Sequence, residues 1–343
     1  MINGRKSGRS RGRRKICCGA AALASCLPLC LSAAEAEDFK EVHAPLTISG
    51  AAHNSVTALF AVQGNKQKTG SALLRGSLPE IGGTIENGSS YNSGGAYSLN
   101  QPYSIKEKST FKNNAAAKNG GALYVGPKGC IIGGESLTFI GNHAALDGGA
   151  AYLESSESSG SNSFGSGAVF TENTSKGCGG ALYISDGTKL TITGSASFTG
   201  NTAGDRGGAI YNAGNLLLDT TGGDITFENN SAGGSANDIH LGQSQTNAPL
   251  ITITGTHSVI LKGGLTMDDT WYDAGSFDGI TPSVDDLAGH TLITVSKENL
   301  QGNLSLGGSL TSGRYNKLLF AGGTTDIEKS FTLSEGSRLV LYS

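Results

Sequence analysis

Short runs in which hydrophobic and polar residues alternate recur along the chain, and pairs of glycine separate them. Residues 190–193, 251–254 and 259–261 are examples, and they are rich in Ile, Leu, Val and Thr. This alternation is typical of half-buried β-strands. Glycine suits the sharp turns between strands because it adopts positive φ angles without a steric penalty. The pattern therefore predicts an all-β chain of many short strands.

A repeated unit organises these strands. Five segments read Phe-x-x-Asn, and their Phe residues lie 28, 31, 28 and 29 positions apart: Phe111 with Asn114, Phe139 with Asn142, Phe170 with Asn173, Phe198 with Asn201, and Phe227 with Asn230. Nine residues after each of the first four Phe residues, a Gly-Gly-Ala begins: Gly120, Gly121, Ala122; Gly148, Gly149, Ala150; Gly179, Gly180, Ala181; and Gly207, Gly208, Ala209. A degenerate copy opens the series, with Ile85 and Gly88 in place of Phe and Asn. The series fades at Gly233-Gly234-Ser235, where the offset shortens to six.

Self-similarity at a fixed period of this length indicates a solenoid in which each unit forms one coil. The prediction is a parallel β-helix of ~28-residue coils with a pectin-lyase-like architecture. Stacked coils would place Phe over Phe inside the solenoid and Asn over Asn at a corner. The expected core is thus an aromatic ladder beside an amide hydrogen-bond ladder.

The repeat divides the chain into four predicted regions. Residues 1–36 are a signal peptide, 37–84 an N-terminal cap or first coils, 85–240 the repeat β-helix, and 241–343 an irregular continuation or C-terminal cap. A separate β-domain from about residue 245 is the alternative for the last region.

The first region has the three parts of a secretory signal in order. Seven Arg and Lys residues precede an apolar stretch at 16–32, and Ser32-Ala33-Ala34-Glu35-Ala36 offers a cleavage site. A retained anchor, a twin-arginine signal and lipoprotein cleavage before Cys26 are the alternatives. Removal of 1–36 leaves 18 basic and 27 acidic residues, a formal charge near −9. We therefore expect an exported protein that binds no nucleic acid.

The paired motifs resemble the repeats of the polymorphic outer membrane proteins, the chlamydial type of autotransporter. The resemblance covers about residues 85–240 and implies a β-helical passenger that is displayed at the cell outer membrane or secreted and adheres to host cells. In that family the two motifs are linked to adhesion, which makes the Phe, Asn, Gly and Ala positions named above candidate adhesion residues.

One part of the family pattern is missing from this sequence. A translocating barrel needs at least eight strands of about ten residues. The 103 residues after position 240 are too few and too rich in glycine. The expectation is a passenger-like chain without the C-terminal barrel, as in a truncated autotransporter.

A carbohydrate-active enzyme of the β-helix type is the main rival interpretation. The best acid and base candidates are two acidic pairs with a nearby histidine, Asp268-Asp269, Asp285-Asp286 and His290. The pattern of a polygalacturonase-like site is otherwise absent, so we expect solvated loop carboxylates and no enzymatic activity. The histidines lack metal-ligand spacing and no cofactor motif is present, so neither a metal nor a cofactor is expected.

The repeats also carry tyrosines at a constant position, and the face of the strand that these rings occupy has to be predicted. Each Gly-Gly-Ala is followed two residues later by a tyrosine: Tyr124, Tyr152, Tyr183 and Tyr211. Inward packing of these rings is favoured, and a solvent-facing ladder that binds glycans or a partner is the alternative.

Outside the signal only Cys130 and Cys178 remain, and free thiols are favoured over a disulfide between them. The resulting hypothesis is a non-enzymatic adhesin that contacts a host cell-surface protein or glycan, with a purely structural envelope protein as a further alternative.

Overall fold

The computed structural model describes residues 81–154, 160–243, 250–269 and 303–312, and around them the segments 47–48, 72–74, 292–294, 317–321, 324–334 and 338–342. The predicted signal peptide, most of 37–84 and the candidate residues Asp285, Asp286 and His290 lie outside the described residues. Within the described part, the regular elements are short strands and one 3-10 turn, Thr220–Gly222. None of the helical segments described there has the length and hydropathy that a membrane crossing requires.

The strands of successive coils stack into four sheets along the solenoid, because a coil contributes one short strand to each sheet in turn. Sheet A contains Thr47–Ile48, Ala72–Leu74, Tyr97–Leu99, Leu123–Val125, Ala151–Leu153, Leu182–Ile184, Ile210–Asn212, Ile239–Leu241, Leu265–Met267, Leu310–Thr311 and Phe331–Thr332. Sheet B contains Pro102–Ile105, Cys130–Gly133, Asn162–Phe164, Lys189–Thr193, Asn215–Asp219, Leu250–Thr254 and Leu292–Thr294.

Sheets C and D carry the motif strands. Sheet C contains Thr84–Glu86, Thr110–Lys112, Thr138–Ile140, Val169–Thr171, Ser197–Thr199, Ile225–Glu228, Ser258–Leu261, Asn303–Leu306 and Thr324–Ile327. Sheet D contains Ser89–Ser90, Ala115–Ala116, His143–Ala144, Thr174–Ser175, Thr202–Ala203, Ser231–Ala232 and Ser235–Ala236. A further parallel pair joins Lys317–Ala321 to Arg338–Tyr342. The predicted all-β parallel solenoid with coils about 28 residues long is therefore confirmed.

Pairing between coils is parallel and in register with the sequence repeat. Phe139 pairs with Phe111 on one side and Phe170 on the other, and Tyr152 pairs in the same way with Tyr124 and Tyr183. A parallel register lets the same side chain recur at the same place in every coil. The repeat in the sequence thus becomes a set of straight rows in the structure.

The core is a column of apolar side chains enclosed by sheets A, B and C. Leu, Ile and Val from alternate positions of sheets A and B surround the Phe residues of sheet C, and they are buried from Ile81 to Leu310. Alternation explains this, because residues one apart in a strand point to opposite faces. The residues between them form the outer faces of the sheets.

The two ends of the repeat series differ from its middle. At the start, Ile85 pairs with Phe111, and the backbone N–H of Gly88 donates to Asn114 Oδ1 at 2.9 Å. At the other end, Gly233 and Gly234 do not stand in the Gly-Gly-Ala position. They join the only antiparallel pair in the four sheets as described, Ser231–Ala232 with Ser235–Ala236. The register of Ile210 with Ile239 instead places Asn237 and Asp238 where Gly208 and Ala209 stand one coil earlier.

The sheets continue past the repeat region. Leu250–Thr254 pairs in parallel with Asn215–Asp219, and Ser258–Leu261 pairs with Ile225–Glu228. Leu265–Met267 extends sheet A in the same way. The described strands on both sides of residue 245 therefore belong to the same sheets. The boundaries of the four sequence regions stay predictions.

Candidate interaction surface

The Phe residues of the repeat form a stacked ladder inside the solenoid. Neighbouring rings from Phe111 to Phe227 have centroid distances of 4.5–4.8 Å and lie within 5° of parallel. Phe164, which the motif did not reveal, meets Phe139 and Phe170 edge-on at 5.7 and 5.3 Å. The predicted internal aromatic ladder is thus confirmed, and all its rings are fully buried.

The Asn residues form a second ladder, at the corner between sheets C and D. Each side-chain Nδ2 donates to Oδ1 of the Asn in the next coil at 2.9–3.0 Å, from Asn114 through to Asn230. The same Nδ2 also donates to a backbone carbonyl of the preceding coil, as Asn173 does to Phe139 O at 3.0 Å. All five side chains are buried, so every polar atom of the row is satisfied within the protein. The predicted amide ladder is also confirmed.

Asp238 ends the amide ladder. Asn230 Nδ2 donates to Asp238 Oδ1 at 2.9 Å, and Gly263 N–H donates to the other oxygen at 2.6 Å. Because each amide donates one of its two N–H groups to the next coil, a carboxylate at the C-terminal end receives the last of these donors. Burial raises the pKa of Asp238, and the hydrogen bonds it accepts offset part of that rise. The motif pattern did not reveal this residue.

The Gly-Gly-Ala segment forms the turn into sheet A. Gly179 has a φ of +66°, where an L side chain is strained. A Cβ on Gly180 would stand 2.0 Å from the carbonyl oxygen of Gly208, so the backbones of adjacent coils touch at this position. Ala181 is buried. The same holds in the other three copies, which explains why both glycines recur.

These contacts place the sequence-predicted adhesion residues in the interior. Every Phe, Asn, Gly and Ala of the repeated motifs from Phe111 to Asn230 is buried. Their side chains therefore build and hold the coils and do not form an outer face of the folded protein. Their role in adhesion stays a prediction, and in the folded protein it would be indirect.

The tyrosines form a row on the outer face of sheet A, and the prediction that they pack inward is wrong. Each lies in a strand between two buried residues, as Tyr124 lies between Leu123 and Val125. The strand begins one residue after the corner Ala, and its inward–outward alternation begins there too. The burial of the Ala therefore does not tell which face the Tyr occupies. Ring centroids are 5.7, 4.6 and 4.7 Å apart along the row, and His240 continues it at 5.5 Å from Tyr211. The motif did not reveal His240.

Stacking leaves these tyrosines half-buried and uncharged. Burial is the main cause of the raised pKa of each phenol, and it brings the pKa of Tyr152 to about 12. The nearby carboxylate of Glu154 adds to this effect and accepts a hydrogen bond from Tyr124 Oη at 2.5 Å. The row therefore presents neutral hydroxyl groups near neutral pH.

A charged cluster lies at the His240 end of the row. Asp268 forms an ion pair with Arg206, lies 3.1 Å from His240 Nε2, and accepts from Tyr211 Oη at 3.5 Å. His240 Nδ1 lies 2.8 Å from Thr266 Oγ1. Burial alone would raise the pKa of Asp268, but its contacts with His240 and Arg206 outweigh burial and hold the pKa below its usual range.

The remaining sequence candidates are scattered. Asp268 is in the cluster above, and the backbone oxygen of Asp269 accepts from Gln243 Nε2 at 2.9 Å. His143 is a corner residue that contacts Thr174 Oγ1 at 2.9 Å. In the described coils no three His, Cys, Asp or Glu side chains are arranged to hold a metal ion. The expectation that the protein uses neither a metal nor a cofactor stays a prediction.

Both cysteines outside the predicted signal are free thiols. Cys130 is buried and Cys178 is half-buried. Burial, with the carboxylates of Asp147 and Asp205 nearby, raises the pKa of the Cys178 thiol to about 12. The thiol is therefore protonated near neutral pH and is a weak nucleophile.

Taken together, the buried Phe and Asn ladders and the parallel register define a repeat protein of the β-solenoid class. Four segments, 108–126, 136–154, 167–185 and 195–213, match the Chlamydia polymorphic membrane protein repeat. These four segments are therefore repeats of that type, and the solenoid fits an autotransporter-like passenger. Neither the curated proteins nor the solved structures contain a match to the chain.

Proposed function

We propose that this protein is an exported, passenger-like β-solenoid that is displayed at the cell outer membrane or secreted and binds the surface of a host cell. The partner is a host protein or glycan, and the protein catalyses no reaction on it. The polymorphic membrane protein repeats support this proposal, together with a solenoid whose stacked coils present continuous outer faces.

The observation that carries the proposal is the separation between the buried motifs and the outer faces. Phe170, Asn173 and Gly180 are buried in contacts between coils, whereas Tyr183 of the same coil lies on the outer face. The repeated motifs then act as a scaffold, and the residues between them form the contact surface. Host binding should therefore depend on the motifs only through the fold.

The charged cluster does not supply the general acid that a glycoside hydrolase needs. Of the acidic candidates, Asp268 is the one whose side-chain contacts are described. It is paired with Arg206, and its lowered pKa keeps it ionised. A general acid needs a carboxyl group that is protonated near the working pH. Asp268 is poorly suited to that role.

Beads coated with the purified full chain test the proposal on cultured epithelial cells. Saturable binding is expected. The triple variant Asn142→Val, Asn173→Val, Asn201→Val should lose binding together with its β-sheet circular dichroism signal. The matched control Thr171→Val, Thr199→Val changes outer-face residues of sheet C and should keep both.

Two results would contradict the proposal. One is the absence of binding by a well-folded wild-type chain. The other is turnover of a polysaccharide by the purified protein, which would establish an enzyme. Loss of binding by a triple variant that keeps its fold would instead assign direct contact to the corner occupied by the Asn ladder.

A further inference from the structure

We propose that the outer face of sheet A from Ser98 to Tyr211 binds an extended, uncharged glycan, with one sugar unit on each of these five coils. The partner class is a linear chain of β-1,4-linked hexoses or N-acetylhexosamines. This inference rests on the proposed function, since it names the surface and the ligand class of the host contact.

The first observation is a continuous row of hydrogen-bonding side chains along the solenoid. Parallel pairing places one outward residue of each coil directly beside the next, and all but one of them carry a hydroxyl group: Ser98, Tyr124, Tyr152, Tyr183, Tyr211, His240 and Thr266. The exception, His240, is buried, and its ring nitrogens face Thr266 Oγ1 at 2.8 Å and Asp268 Oδ1 at 3.1 Å. The row thus offers a hydroxyl group on each of the five coils from Ser98 to Tyr211.

The stacking of the rings determines what the row can present. Tyr152, Tyr183 and Tyr211 lie 4.6 and 4.7 Å apart with their planes within 15° of parallel, so their faces cover one another. Ring edges remain for a partner, and the hydroxyl oxygens of Tyr124 and Tyr211, which already donate to Glu154 and Asp268, can still accept a hydrogen bond. Tyr183 lies near the middle of the row, between Tyr152 and Tyr211. Such a surface recognises a ligand by a series of hydrogen bonds against a flat apolar backing.

The spacing of the row distinguishes a glycan from a peptide. Coils repeat every 4.7–4.9 Å along the solenoid, as neighbouring strands do. An extended peptide laid along that axis presents same-side residues every ~6.6–6.8 Å and would lose register after two coils. A pyranose linked through opposite equatorial positions advances by nearly one strand spacing. A β-1,4-linked chain can therefore place one sugar over each tyrosine, with alternate sugars turned over so that the two faces of the chain contact successive tyrosines.

The charges near the row select an uncharged ligand. Glu154 bonds to Tyr124 near one end, and Asp268 contacts Tyr211 and His240 near the other. Carboxylates accept hydrogen bonds readily from sugar hydroxyl groups and repel sulfate and carboxylate groups. Arg206, whose charge acts on Tyr211, is already paired with Asp268. A sulfated or uronic-acid chain should therefore bind worse than a neutral one.

The test is calorimetric titration of the purified full chain with cellopentaose and N-acetylated chitopentaose. The corresponding trisaccharides and a heparin-derived pentasaccharide are the comparison ligands. The informative variants are Tyr152→Phe and Tyr183→Phe, which remove a hydroxyl and keep the ring stack. The matched control, Thr191→Val, removes a hydroxyl from the outer face of sheet B. Circular dichroism and melting temperature verify that all three fold.

We expect at least one pentasaccharide to bind more tightly than its trisaccharide and than the heparin fragment. Each Tyr→Phe change should weaken binding about two- to tenfold, the range for one hydrogen bond, and Thr191→Val should not. Equal affinity for the trisaccharide, tighter binding of the heparin fragment, unchanged affinity in both Phe variants, or no binding of either pentasaccharide would overturn the inference. Bead binding to cells separates the two proposals. If wild type and both Phe variants bind cells equally, the glycan row is wrong and the adhesin proposal stands.

Discussion

The amide ladder can be tested at its centre, Asn173. Its Oδ1 accepts from the backbone N–H of Asn142 at 3.1 Å and from Asn142 Nδ2 at 2.9 Å. Its Nδ2 donates to Phe139 O and to Asn201 Oδ1, both at 3.0 Å. Removal of this one side chain therefore breaks four hydrogen bonds between three coils.

The cost follows from the groups that lose a partner. Two buried donors of Asn142, one in the backbone and one in the side chain, are left without an acceptor. Each unpaired buried donor costs about 1–3 kcal/mol, so the free energy of unfolding should fall by about 2–6 kcal/mol. Asn173→Ala leaves a polar space that can admit a water molecule, which places it at the low end of this range. Asn173→Leu fills the space with apolar atoms and belongs at the high end.

The expected order is unusual, because the larger and more hydrophobic substitution at a buried site is the more harmful one. Urea unfolding measures the free-energy change for both variants. Thr171→Ala, on the outer face of the same coil, is the control and should change stability by no more than about 0.5 kcal/mol. Amide hydrogen exchange at Asn142 reports the local effect, because its N–H loses its acceptor in both variants.

The reasoning would be refuted by either of two results. If Asn173→Leu is as stable as wild type, the ladder contributes no net stability. If Asn173→Leu is more stable than Asn173→Ala, burial of apolar surface outweighs the unpaired donors.

Three further changes test the scaffold and the charged cluster. Phe170→Ala should cost about 3–5 kcal/mol in urea unfolding, because it empties a fully buried position between two stacked rings, and a cost under 1 kcal/mol would contradict that packing. Gly180→Ala should expose its coil to limited proteolysis, since the new Cβ would meet the Gly208 carbonyl, and a protease-resistant variant would show that the coils can separate. Asp268→Asn should destabilise the protein at pH 7, and this difference should shrink below about pH 4. A folded pKa below the unfolded value makes the Asp268 contribution present at neutral pH and lost on acidification, so a difference that grows on acidification would oppose this sign.

The sequence alone was sufficient to predict which side chains contact one another in the interior of the repeats. Parallel stacking brings identical positions together, so a motif that recurs at a constant offset must form rows. Phe and Asn ladders follow directly once that stacking is assumed. The repeat pattern does not reveal Phe164 or Asp238, because neither residue recurs from coil to coil. Each acts once, Phe164 as an edge-on contact to the Phe ladder and Asp238 as the acceptor that ends the amide ladder.

The outer surface needed the tertiary structure. A tyrosine two residues after a buried alanine gives no sign of its face, because the chain turns between them and the strand alternation begins after the turn. The Gly233-Gly234 pair was equally ambiguous, because glycine is common both in hairpin turns and at the corners of coils. Strand pairing shows that the pair lies in a hairpin turn and that Asn237 and Asp238 occupy the corner. The cluster of Arg206, His240 and Asp268 joins residues up to 62 positions apart.

What the sequence determined is thus the repeated contact between equivalent residues, because periodicity specifies which residues meet when coils stack in parallel. What only the tertiary structure decided is which face each unrepeated or turn-adjacent residue occupies, because that depends on where the backbone bends and which strands pair. The buried motifs belong to the first kind. The exposed tyrosine row and its charged end belong to the second, and they form the surface on which the proposed binding function depends.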